Sequence, residues 1–140
     1  MQILLFRDTS HKIKLSKGHI GIAGEKIALR YLRNNGWRCI GKNIRFGKDE
    51  LDILAVSPDE KTLAIVEVRS TLQKNKKPER TIDRRKRNAM LRVAKQLRLQ
   101  AVKNKCALRV DVVTVRFGEL EPIIEHFENV LPISRSRGFV

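Results

Sequence analysis

The chain has 140 residues, enough for one domain with a single core and too few for two. Thirty Lys and Arg stand against 15 Asp and Glu, and this net charge of +15 points to a polyanionic partner, nucleic acid before an acidic membrane surface. An apolar share of 41% excludes a purely disordered basic tail, no apolar run approaches the roughly 18 residues of a membrane span, and two cysteines exclude a disulfide scaffold or a four-cysteine zinc site. A reduced, cytoplasmic protein is expected.

Residues 1–18 read as a basic arm, with His11, Lys12, Lys14 and Lys17 in no clear period. Residues 19–140 read as one domain. A helix is predicted from about Ile20 to Asn35, because Ala23, Ile27 and Tyr31 form an i, i+4, i+8 stripe widened by Ala28 and Leu32. Asn34-Asn35-Gly36 supplies its stop, since Asn and Gly tolerate positive φ. A strand follows from Trp37 to about Ile44, interrupted at Gly41. Leu51–Val56 and Thr62–Ser70 read as two strands around the turn Ser57-Pro58-Asp59-Glu60-Lys61. A basic loop covers Leu72–Thr81. A long helix is predicted from Ile82 to about Asn104, a strand from Leu108 to Phe117, and a short strand within Pro122–Leu131. The order αβββαβ, with a possible last strand, predicts an α/β domain with a mixed central sheet flanked by helices.

The positive charge is concentrated. Fifteen cations and two acids lie between Arg69 and Arg109, a net +13 that leaves only +2 for the rest of the chain. A solvated helix face would mix both signs, so this block reads as nucleic-acid contact. Few aromatics (5%) favour phosphate contacts to duplex or branched nucleic acid over base stacking. DNA is the expected partner ahead of RNA, and no membrane partner is expected. Oligomeric state stays open, a homodimer included.

Strand alternation puts Glu50, Asp52, Leu54 and Val56 on one face, and pairing the hairpin about its turn opposes Val56 to Leu63, Leu54 to Ile65, Asp52 to Glu67 and Glu50 to Arg69. Opposed carboxylates repel, so a cation side chain, a shared proton or a metal ion must offset the cost. Arg69 and other cations would serve. So would Mg²⁺ (or Mn²⁺), commonly held by one or two carboxylates plus water and substrate phosphate.

Gly24-Glu25, Asp49-Glu50-Leu51-Asp52-Ile53-Leu54-Ala55, Val66-Glu67-Val68-Arg69, Ile82 to Lys86 with Ala94, Arg109 to Val113 and Ile124-Glu125-His126 together resemble the YraN-like family of bacterial proteins, over about residues 18–131. That family is similar to restriction-endonuclease-like nucleases with a PD-(D/E)xK type of site on an αβββαβ core. The resemblance implies Asp52 as the motif aspartate, Glu67 as the second acid, Arg69 in the lysine position, Glu25 as an added helix acid and Lys86 as a helix lysine. A metal-dependent endonuclease reading would have Asp52, Glu67 and the Val68 carbonyl hold the ion. Lys74, Lys76, Lys77, Arg84, Arg85 and Arg87 would grip the backbone.

Arg69 departs from the pattern. An arginine keeps its proton and is a poor general base, although it clamps phosphate well. Three outcomes stay open. A bound metal ion can itself lower the pKa of water. Lys86 can replace the missing lysine. Or the fold binds nucleic acid without cutting it. Glu50 opposite Arg69 is a further expected ion pair. Asp111 is read as a buried acid bonded to Arg or backbone, His126 as structural, Trp37 as core.

Overall fold

The computed structural model describes residues 17–72 and 81–133. Five strands form one sheet in the order β1-β2-β3-β4-β5: β1 Arg38–Phe46, β2 Asp49–Val56, β3 Thr62–Thr71, β4 Ala107–Arg116 and β5 Ile123–Phe127. The first three run antiparallel as a meander, β4 lies parallel to β3, and β5 returns antiparallel. Helix α1 (Lys17–Asn34) precedes the sheet, and α2 (Arg84–Lys103) makes the β3-to-β4 crossover. This is the expected αβββαβ core with a mixed sheet, closed by the short last strand.

Each helix covers one face. On the α1 face, Ala28 and Leu32 pack with Ile53, Val66, Val113 and Val115. On the α2 face, Met90, Val93 and Leu97 pack with Leu54, Leu63, Ile65 and Val110. Central β3 is buried from Leu63 to Glu67, as a strand covered on both sides must be.

The helix stops follow local chemistry. The Gly36 N–H donates to Arg33 O and the Trp37 N–H to Leu32 O, with Gly36 at φ +85, a left-handed turn that closes α1. Asp83 caps α2 by accepting the Lys86 N–H at 2.8 Å. In the β2–β3 turn, Asp59 accepts the Ser57 hydroxyl (2.6 Å) and the Lys61 N–H (3.0 Å).

Some expectations shift. Lys17 and Gly18, assigned to the arm, belong to α1, while residues 1–16 lie outside the described residues. β1 runs on to Phe46, and its irregularity falls between Cys39 and Gly41. The hairpin register holds for Val56↔Leu63 through Ile53↔Val66 and then the ladder ends. Alternation also breaks there. Leu51 and Leu54 both join the α2-face cluster, so the strand turns over between them. Opposite, β1 passes from Lys42↔Ile53 to Ile44↔Leu51 with Asn43 at φ +49 outside the ladder. Asp52 sits at this crossover.

Candidate functional site

Three elements meet where β2 and β3 part. Asp52 comes from the crossover in β2. Its Oδ2 accepts the Val68 N–H at 2.8 Å, a strand donor made available by the end of the ladder. Glu67 continues the α2 face of β3 past Leu63 and Ile65 and is buried, at 7% exposure. Lys86 projects from the first turn of α2, and its Nζ lies 3.1 Å from Glu67 Oε2. Arg69 Nε lies 3.6 Å from Glu67 Oε1. Despite these cations, Glu67 Oε2 and Arg69 Nε are buried without an aligned hydrogen bond among the described residues.

The electrostatics reflect crowding. Burial, then the Asp52 charge, push Glu67 from its ordinary 4.5 up to about 7, against the pull of Lys86 and Arg69. Burial also raises Asp52, while the Val68 N–H and the Lys86 charge oppose the rise. Glu25, on α1, is raised by burial and by the charges of Asp52 and Glu50, and is eased by a hydrogen bond from Asn43 and by Lys42. Gly24 permits this placement. A Cβ there would run into Ser70 Oγ of β3, so only glycine lets α1 carry Glu25 this close to the sheet end.

Two expectations are corrected. Asp52 does not share a face with Leu54, because the crossover turns it toward the α1-side cavity that Glu25, Lys42 and Asn43 also line. Glu50 does not pair with Arg69. The ladder has ended before that position, and Arg69 pairs with Glu67 instead. Glu50 is exposed and lines the α2-side cleft, about 680 Å³, together with Glu67, Arg69, Arg85 and Lys86. Arg84 and Arg87 are exposed on the first turn of α2. Lys74, Lys76 and Lys77 lie outside the described residues.

One feature of the cleft left no mark in the sequence pattern. Buried Asp49 accepts Arg92 Nε and Nη2 at 2.8 Å each, a two-pronged pair that ties the start of β2 to α2. The partners are 43 positions apart and follow no shared period. They hold Asp52 and Lys86 on two fastened elements.

A second polar network serves packing. Fully buried Asp111 accepts Arg109 Nε and Nη2 (2.8 and 3.0 Å) and the Asn129 N–H (3.0 Å), and lies 2.8 Å from His126 Nε2. The His126 ring packs on buried Trp37, and Arg109 lies over the same indole. Burial would raise the Asp111 carboxyl, yet its hydrogen bonds hold it below its ordinary value. Asp111, His126 and Trp37 thus take the structural roles read for them.

The donor set fits a hard cation with few protein ligands. Among the described residues, no three His, Cys, Asp or Glu side chains gather as a ligand set. Two crowded carboxylates, one with an oxygen lacking an aligned donor, suit an ion that completes its shell with water and phosphate. No helix among the described residues is long and apolar enough to cross a membrane.

The chain is similar to UPF0102 proteins from several bacteria. It is 32% identical to one from Chlorobium phaeobacteroides over 98 residues, covering 69% of this chain and 75% of that one. It is 36% identical to one from Anaeromyxobacter dehalogenans over 109 residues (77% and 80%), and 33% identical to one from Alkaliphilus oremlandii over 113 residues (79% and 95%). Among solved structures it is similar to Pyrococcus furiosus SfsA in complex with Ca²⁺, at a TM-score of 0.36 and 17% identity, covering 81% of this chain and 64% of that one. Residues 24–115 match the Uncharacterised protein family UPF0102. In agreement with the YraN-like resemblance, the chain belongs to that family.

Proposed function

We propose that this protein is a Mg²⁺- or Mn²⁺-dependent endonuclease acting on nucleic acid, DNA before RNA, in the cytoplasm. The observation that carries this reading is Lys86 Nζ at 3.1 Å from Glu67 Oε2, an ammonium standing where the arginine at position 69 leaves a lysine wanting. Asp52 and Glu67, with the Val68 carbonyl, would hold the ion. When bound, the ion lowers the pKa of water and offsets charge on the phosphate.

The chain's own groups do the rest. The Val68 N–H fixes one oxygen of Asp52. Lys86 Nζ, beside Glu67, can orient the attacking water or place its charge on the phosphate. Arg69 clamps phosphate oxygens with its fixed fork of donors. Glu25 faces Asp52 from α1 and can hold a second water. Arg85 in the cleft, with Arg84 and Arg87 on the same turn, grips the backbone, and Lys74, Lys76 and Lys77 precede that turn in the chain.

The test is cleavage of duplex, branched and single-stranded DNA with Mg²⁺ or Mn²⁺, alongside Asp52→Ala and Glu67→Ala. Loss of cleavage in both variants is expected, and unchanged cleavage in both would reject the site. A second reading rests on Arg69 and on the engagement of Lys86 by Glu67: a binding module that does not cut. It predicts salt-dependent DNA binding that survives Asp52→Ala with no cleavage by the native protein, and robust native cleavage would sink it.

A further inference from the structure

The acid pair opens on both faces of the sheet. Glu67, Arg69 and Lys86 face the α2-side cleft. On the α1 side a narrower cavity of about 240 Å³ is lined by Asp52, Glu25, Lys42 and Lys26. Lys26 also lines another cavity, of about 420 Å³, which continues along α1 past Arg30, Tyr31 and Asn34 to Pro122 and Ile124. One ammonium therefore joins the two cavities. Lys26, Arg30 and Asn34 are spaced four apart and all exposed, so they lie along one outer stripe of α1. With Lys42, they lead away from Asp52 as a line of donors, none drawn from the dense 69–109 block.

Size and chemistry select the occupant. Each cavity is on the scale of a single small ligand, far too narrow for a duplex. Spaced cations suit successive phosphates, and the Tyr31 ring with Pro122 and Ile124 offers an apolar wall to a base. Glu121 also lines this cavity, beside Pro122.

We infer that the α1 face holds a single-stranded segment of DNA running from Asp52 along Lys26 and Arg30. The inference rests on the nucleic-acid reading above and narrows it. The preferred substrate has a single strand beside a duplex, with duplex backbone on the α2 side and the single strand on the α1 side.

Fluorescence anisotropy at fixed salt tests this, comparing a blunt duplex with the same duplex bearing a single-stranded extension. The native protein should bind the extended DNA about tenfold more tightly, a preference set by one stacked base and two or three phosphates. A Lys26→Gln/Arg30→Gln variant, altered only at exposed positions, should lose that preference and bind the blunt duplex within about twofold of native. No preference in the native protein, or a preference kept by the variant, overturns the inference while leaving the nucleic-acid reading intact. No binding of either DNA overturns both.

Discussion

Glu67→Gln should stabilise the metal-free protein at pH 8. Glu67 is buried, its pKa is raised from 4.5 to about 7, and the causes are burial and the Asp52 charge. Between those values the folded chain holds a proton that the unfolded chain has released. Stability from this group is therefore full below pH 4.5 and is lost as pH rises through about 7. A difference of that size corresponds to a ceiling of about 3 kcal/mol at pH 8. The ceiling already includes the attraction to Lys86, which Gln forgoes. A gain of about 1–3 kcal/mol is expected, or about 3–10 °C in Tm for a chain of this length. Urea and thermal unfolding in a chelator, at pH 5 and pH 8, would measure it. The two proteins should nearly coincide at pH 5 and separate at pH 8. Added Mn²⁺ should then stabilise the native protein more than the variant, because binding to the folded state alone raises stability. A variant less stable than native at pH 8 in chelator would refute the reasoning, because the Lys86 ion pair would then outweigh burial and repulsion.

Other substitutions probe the remaining parts. Lys86→Met should lower cleavage by about 10²- to 10⁴-fold with nucleic-acid affinity nearly kept, whereas Arg69→Lys should retain cleavage within about tenfold; paired rate and binding measurements check this. Asp111→Asn should cost about 3 kcal/mol in urea unfolding, because Arg109 loses its buried partner. In the native protein, the contribution of Asp111 should persist above its ordinary 3.8 and fade as pH falls below it, since its folded pKa is depressed. Gly24→Ala should cost about 1–3 kcal/mol in Tm-derived stability, as its Cβ forces α1 away from Ser70, and Ser70→Ala should recover part of the loss.

The sequence by itself determined the element order and the faces. Helical and strand periods are local properties, and the caps at Gly36 and Asp83 are written in single residues. The hairpin register from Val56↔Leu63 to Ile53↔Val66 follows from matching apolar residues across one turn. The same register brought Asp52 and Glu67 to one end of the sheet, and composition located the positive wall beside them. Only tertiary structure decided what happens past the end of that ladder. The crossover at Asn43 and Asp52 breaks the two-residue period, so the alternation that serves Leu54 and Val56 fails for Asp52 and Glu50. Lys86 meets Glu67 because Asp49 and Arg92 fasten α2 to β2 from 43 positions apart, a pairing no local period encodes. The cations along α1 stayed inconspicuous for the same reason. Lys26 and Arg30 lie on α1 and Lys42 on β1, among other cations between residues 26 and 48, and only folding aligns these three beside the acid pair.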